Sequence, residues 1–156
     1  SPLYYSANKA FLNKSYTDSL LLYERLYEKE PSNLFALEGM ARSLGRLGRF
    51  QESEKIFLTV IEKDNKFAIA HANLGILYDL EGKHKKALKY YNNAVNLEYD
   101  ITKGMSFMKR FLKNIQFKTS SIIERKEYLE EQLSLINKKQ KLRDIKIDKK
   151  QPDYEM

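Results

Sequence analysis

His71 and His84 are the only histidines in the chain, and Asp79 and Glu81 lie between them. Imidazole and carboxylate this close in sequence are what a metal site or a proton-transfer pair would use. A second acidic group, Glu127, Glu130 and Glu131, offers paired carboxylates. It sits beside Arg125 and Lys126, where a charge-paired helix face explains it more simply. There is no cysteine, so disulfide and thiolate chemistry are excluded. The glycines of ARSLGRLGRF follow no strand pattern and do not make a phosphate-binding G-x-G-x-x-G loop. The basic stretches KNIQFK (113–118) and KKQKLR (138–143), with Phe117 able to stack, are the elements a nucleic-acid surface would use. Acidic residues interrupt the region from 124 to 153, and no nucleic-acid-binding module is recognisable.

Which of these residues can act depends on the elements that carry them. The chain has 156 residues, 42% hydrophobic and 31% charged, which suits one helix-rich globular domain or a short array. No apolar run approaches the ~18 residues of a membrane span. The net charge of +7 is uneven: residues 1–100 hold 14 Lys/Arg against 13 Asp/Glu, and residues 101–156 hold 14 against 8. The basic C-terminal third points to an acidic partner, a nucleic acid or an anionic membrane surface, or to a plain solvated face. The chain opens Ser-Pro rather than Met. That raises the expectation of a removed leader or anchor, and leaves the compartment open between cytoplasm and periplasm or membrane surface.

The organising feature is an internal repeat. Units beginning at residues 34 and 68, with a shorter first unit ending at Asn33, align column by column. Tyr23, Phe57 and Tyr91 form one aromatic column; Tyr16, Phe50 and His84 form another. Ala7, Ala41 and Gly75 form a small-residue column, as do Ser19, Ser53 and Ala87. Leu26, Val60 and Ala94 complete the set. Helices in a hairpin approach closely only where side chains are small, and the aromatic fills the wedge towards the neighbouring hairpin. Gly48 and Gly82 fall in the tight turns, where positive φ costs glycine little. Pro31 ends the first unit, while Asn65 and Tyr99 hold that place later. The spacing predicts helices over 2–13, 17–29, 33–46, 50–63, 67–80 and 84–97. His84 thereby becomes a packing residue, as does His71.

After residue 101 the period breaks. A fourth unit puts Lys109 at the small position and Arg125 at the aromatic one, both wrong for packing. Met105, Met108, Leu112 and Ile115 predict a helix near 102–116. Its Phe107, Phe111, Lys109, Arg110 and Lys113 would also suit a membrane surface, but its apolar face is read as a cap on the array. Ser121 with Glu124 predicts a capping box that opens a helix over 122–140, with Ile122, Leu129, Leu133 and Ile136 inward. The domain organisation is thus three units (1–33, 34–67, 68–101), a degenerate fourth hairpin (102–140) and a basic tail (141–156) expected to pack on the array or on another chain.

Leu74, Gly75, Tyr78, Ala87, Tyr91 and Ala94 resemble the tetratricopeptide repeat (TPR), and the resemblance spans residues 1–101. The tryptophan common near the start of the family's first helix is absent, with Leu3, Leu37 and His71 in its place. The C-terminal run from ERKEYLEEQL resembles extensions of some bacterial TPR proteins, so a bacterial origin is expected. The resemblance implies an all-α fold, an α-solenoid of antiparallel hairpins in a right-handed superhelix, with the first helix of each pair lining a concave face. It further implies a non-catalytic scaffold or assembly factor without a cofactor, which takes a peptide segment of a partner in that groove. Residue by residue, the family's ligand-contacting positions fall on Tyr4, Asn8, Phe11 and Leu12, on Phe35, Glu38, Arg42, Gly45 and Arg46, on Ile69, Asn73, Ile76 and Asp79, and on Lys103, Ser106, Arg110 and Lys113. One end is aromatic, the other cationic, so the expected segment is acidic or aromatic. A chaperone-type carboxylate clamp is not implied: Tyr4, Gly39 and Ile69 stand at its cation positions, and shifting by one unit brings Arg42, Asn73 and Lys103 into place but leaves Glu38 and Phe107 at basic ones. The alternative is a structural subunit of a larger complex, anchored through its convex face or basic C-terminal region.

Overall fold

The computed structural model describes residues 1–98, 121–135 and 142. The described residues contain seven helices and no strand: α1 (Pro2–Leu12), α2 (Tyr16–Lys29), α3 (Leu34–Arg46), α4 (Phe50–Lys63), α5 (Ala68–Leu80), α6 (His84–Leu97) and α7 (Ile122–Ser134). This is the all-α, α-solenoid class of helical hairpins that the repeat pattern implies. Six predicted spans agree with α1–α6 to within a residue. The seventh is a correction: α7 ends at Ser134 rather than 140, and Leu135 turns into extended backbone. The expected helix near 102–116 lies outside the described residues. The chain divides into two compact units, Ser1–Ala70 and His71–Met156.

The hairpin turns repeat at the period. Gly48 and Gly82 both take φ of 78°, and Lys14 holds the equivalent place at φ 62°. Each turn is closed by the same long backbone bond: Ser15 N–H to Ala10 O at 2.9 Å, Arg49 N–H to Leu44 O at 2.9 Å, and Lys83 N–H to Tyr78 O at 2.8 Å. That six-to-one bond is the Schellman closure, which needs a left-handed residue before its donor. Glycine supplies it without strain in the second and third turns. Lysine supplies it at a cost in the first.

In the first unit, Ala7, Tyr23, Leu26 and Ala36 form a buried cluster with Leu3, Tyr4, Leu22, Tyr27 and Met40 packed around it. The two small-residue columns meet as expected, with a polar addition. Ser19 Oγ donates to Ala7 O at 3.0 Å, and Ser53 Oγ donates to Ala41 O at 2.6 Å, which ties each second helix to its first. Ala87 cannot make the bond in the third hairpin. There Gly75 lets the Tyr91 ring lie directly against backbone, and any Cβ would fall well inside van der Waals contact. Gly39 does the same for Tyr23, this time between hairpins. The columns do not show this, because Tyr5 and Asn73 stand at the equivalent positions.

Helix α7 begins with the predicted capping box, Ser121 accepting from Glu124 N and Glu124 from Ser121 N, both at 3.1 Å. Ile122 and Leu129 are buried against the rest of the second unit, Leu133 is half-buried, and Glu127, Glu130 and Glu131 face water. Ile136 lies outside the described residues.

Candidate functional site

The first unit gathers six of the expected groove residues. On α1, Tyr4, Asn8 and Phe11 lie on one helix face at i, i+4 and i+7. The edge of the Tyr4 ring meets Phe35 of α3 at 6.1 Å and Tyr23 at 6.0 Å, and Phe35 meets Phe67 at 5.0 Å. The Arg42 guanidinium lies 4.3 Å above the Phe11 ring and donates to Tyr23 Oη at 3.0 Å. Its Nε stands 3.3 Å from Glu38 Oε1, one helical turn back on α3. Both charges are deeply buried, Glu38 1% and Arg42 2% exposed. Burial of such a pair is tolerable because each charge has a partner and aromatic faces surround the cation. Glu38 and Arg42, expected among the ligand-contacting positions, thus form an internal pair. Tyr4, Asn8, Phe35 and Arg46 are half-buried and present the accessible part of the face, while Leu12 is exposed. Asn8 Oδ1 is itself buried and, among the described residues, has no hydrogen-bond partner.

The remaining positions behave differently. Ile69, Asn73 and Ile76 are buried. Asp79 is 3% exposed and accepts from four donors. Arg125 Nε and Nη2 reach its two oxygens at 2.6 and 2.9 Å, Tyr91 Oη at 3.0 Å, and His84 Nδ1 stands 2.8 Å from Oδ1. Burial by itself raises the pKa of this carboxyl. The bonds and charge of Arg125, helped by His84 and Tyr91, outweigh burial and hold it below its ordinary value. Asp79 is thus engaged inside the second unit, not open on a groove. Lys103, Arg110 and Lys113 lie outside the described residues, as do Ser106 and Phe107.

Arg125 is the residue whose place the repeat pattern misjudges. It stands 34 residues after Tyr91, in the aromatic column, and is 0% exposed. A cation fits there because Asp79 grips it in a two-point pair, the Leu142 carbonyl accepts from Nη2 at 2.6 Å, and the Tyr128 ring lies 5.2 Å away. The clue was a charge in a packing column. His84 and Asp79 do meet, as the metal or proton-transfer reading requires, but His71 goes elsewhere and stacks on Tyr90 at 5.8 Å. Among the described residues no three His, Cys, Asp or Glu side chains converge as metal ligands, and no helix is long and apolar enough to cross a membrane.

The family model of the coatomer epsilon subunit matches residues 8–114. Tetratricopeptide repeat protein 8 of Caenorhabditis elegans is 30% identical over 94 residues, covering 56% of this chain. The chain spans 19% of that relative's length. Among solved structures, the fold is similar to the Sgt2 TPR domain from Aspergillus fumigatus, with TM-score 0.59, 23% identity, and coverage of 74% of this chain and 75% of that one. It is also similar to the first TPR of Spaghetti (RPAP3) bound to the HSP90 peptide SRMEEVD, with TM-score 0.57, 21% identity, and coverage of 72% and 86%. The fold is a TPR-like helical repeat. The expectation of a bacterial origin receives no support from these relatives.

Proposed function

The chain belongs to the coatomer epsilon subunit family, and from that premise we propose that it is a non-catalytic protein-interaction subunit that holds a segment of a partner protein. The carrying observation is the face built by Tyr4, Asn8 and Phe11 of α1 with Phe35, Glu38 and Arg42 of α3. It combines half-buried Tyr4 and Phe35 rings, the half-buried Asn8 and an internally fixed cation, a surface on which a peptide segment can lie. On this reading residues 1–101 are three repeat units, 102–140 a degenerate fourth hairpin and 141–156 a tail. Arg46, half-buried one turn beyond Arg42 on α3, borders that face. An acidic or aromatic segment suits it. The RPAP3 domain, similar in fold, carries a peptide with two glutamates and a terminal aspartate, which supports that choice.

The second reading is a structural subunit anchored through its outer face or basic C-terminal region. The family match favours it, since the epsilon subunit is by name part of a coat complex. A photo-crosslinking amino acid placed at Asn8 or Phe35, and separately at exposed Leu58 on α4, separates the two. Partner adducts from Asn8 and Phe35 but not Leu58 are expected. Adducts from Leu58 alone would sink the groove reading in favour of the second.

A further inference from the structure

The charge of the repeat region is near balance as a whole, but the three second helices are not alike. Helix α2 carries Asp18, Glu24 and Glu28 with Arg25 and Lys29, and α4 carries Glu52, Glu54 and Glu62 with Lys55 and Lys63. Helix α6, HKKALKYYNNAVNL, has no carboxylate at all and carries Lys85, Lys86 and Lys89, with Lys83 just before it. Asp18 and Glu52 sit in their helices' first turns, where an acid complements the helix dipole. Lys86 stands at the equivalent place in α6, where a cation opposes it. Local stability therefore disfavours this arrangement.

The lysines are gathered as well as numerous. Lys83 and Lys86 lie over the Tyr78 ring at 5.9 and 5.2 Å, and Lys89 lies over Tyr90 at 5.7 Å. Lys83 reaches Glu81 at 3.2 Å. Lys85, Lys86 and Lys89 are exposed and, among the described residues, pair with no carboxylate.

We propose that this lysine face of α6 docks an acidic segment of a partner protein. Several features favour a protein segment. The face has no arginine for bidentate phosphate binding. Tyr78 is buried and Tyr90 half-buried, so neither ring stands out to stack on a base or anchor in a bilayer. Lys83 to Lys89 spans about 9 Å of helix, the reach of about three residues of extended chain. A short run of Asp and Glu matches that spacing.

The test measures binding of a fluorescein-labelled decaglutamate peptide by anisotropy at low and moderate salt. The intact chain is compared with K85E/K86E/K89E and with K55E/K63E/K66E, which makes the same charge change at exposed lysines of the first unit. Salt-sensitive binding that weakens about tenfold or more in the first variant and little in the second is expected. The first variant should also keep or raise its thermal midpoint, since acids now stand in the first turn of α6. A milder K86Q/K89Q variant carries the comparison should the reversed one fail to fold. Equal loss in both variants, or no loss, overturns the proposal. Phosphatidylserine vesicles or polyuridine bound through these lysines while decaglutamate is ignored overturn it too, and assign the face to lipid or RNA.

Discussion

Replacing Asp79 with Asn leaves the Arg125 guanidinium buried without its counter-charge. Arg125 is fully enclosed, and two of its hydrogen bonds end on the Asp79 carboxylate. Removing one member of such a pair costs about 3–5 kcal/mol, because the remaining charge keeps its desolvation penalty and loses its Coulomb gain. Arg125→Met is expected to cost less, about 2–3 kcal/mol, since Asp79 keeps His84 and Tyr91 as donors. The double variant D79N/R125M removes both charges and should fall within about 2 kcal/mol of the parent. The coupling energy between the sites would then be at least about 3 kcal/mol. Urea unfolding followed by circular dichroism measures all four chains. A D79N cost under about 1 kcal/mol, or costs that simply add, would refute the view that this pair holds α7 to the second unit.

The same pair sets an acid limit. The folded Asp79 pKa lies below its ordinary value of 3.8, so its contribution is complete above that pH and disappears as pH falls through the folded value. Urea midpoints taken from neutral pH down to about pH 2 should drop more steeply in the parent than in D79N. Gly39→Ala and Gly75→Ala push a methyl into the Tyr23 and Tyr91 rings and should cost about 1–3 kcal/mol in thermal unfolding. Gly48→Ala meets open space, so its cost, about 1 kcal/mol, comes from the left-handed backbone alone; Lys14→Gly should gain a similar amount by the same assay. Ser53→Ala removes the bond to Ala41 O and should lower stability by about 1 kcal/mol, with no effect expected from Ala87→Ser unless a new bond to Gly75 O forms.

Much of the candidate face was legible because it repeats. Helical period puts Tyr4, Asn8 and Phe11 on one side of α1, and the 34-residue period carries that side to Glu38 and Arg42 of α3. Whether those side chains face water was not legible. Arg42 and Glu38 look like surface charges in sequence, yet the Phe11 and Tyr23 rings enclose them. The lysine face was hidden for another reason: charge summed over 100 residues averages away a cluster confined to one helix.

The sequence by itself determined the hairpins: their helices, their turns at Gly48 and Gly82, and the serine–alanine crossings at Ser19 and Ser53. These are contacts within a few turns of chain, written again at every period, so repetition makes them readable. The histidine chemistry that first drew notice was decided by tertiary structure. His84 meets Asp79, but Arg125, 46 residues further along, takes the same carboxylate. A single pairing at that separation leaves no periodic trace, because either charge has many sequence-compatible partners. Only folding shows that a cation stands in an aromatic column because an aspartate waits there for it.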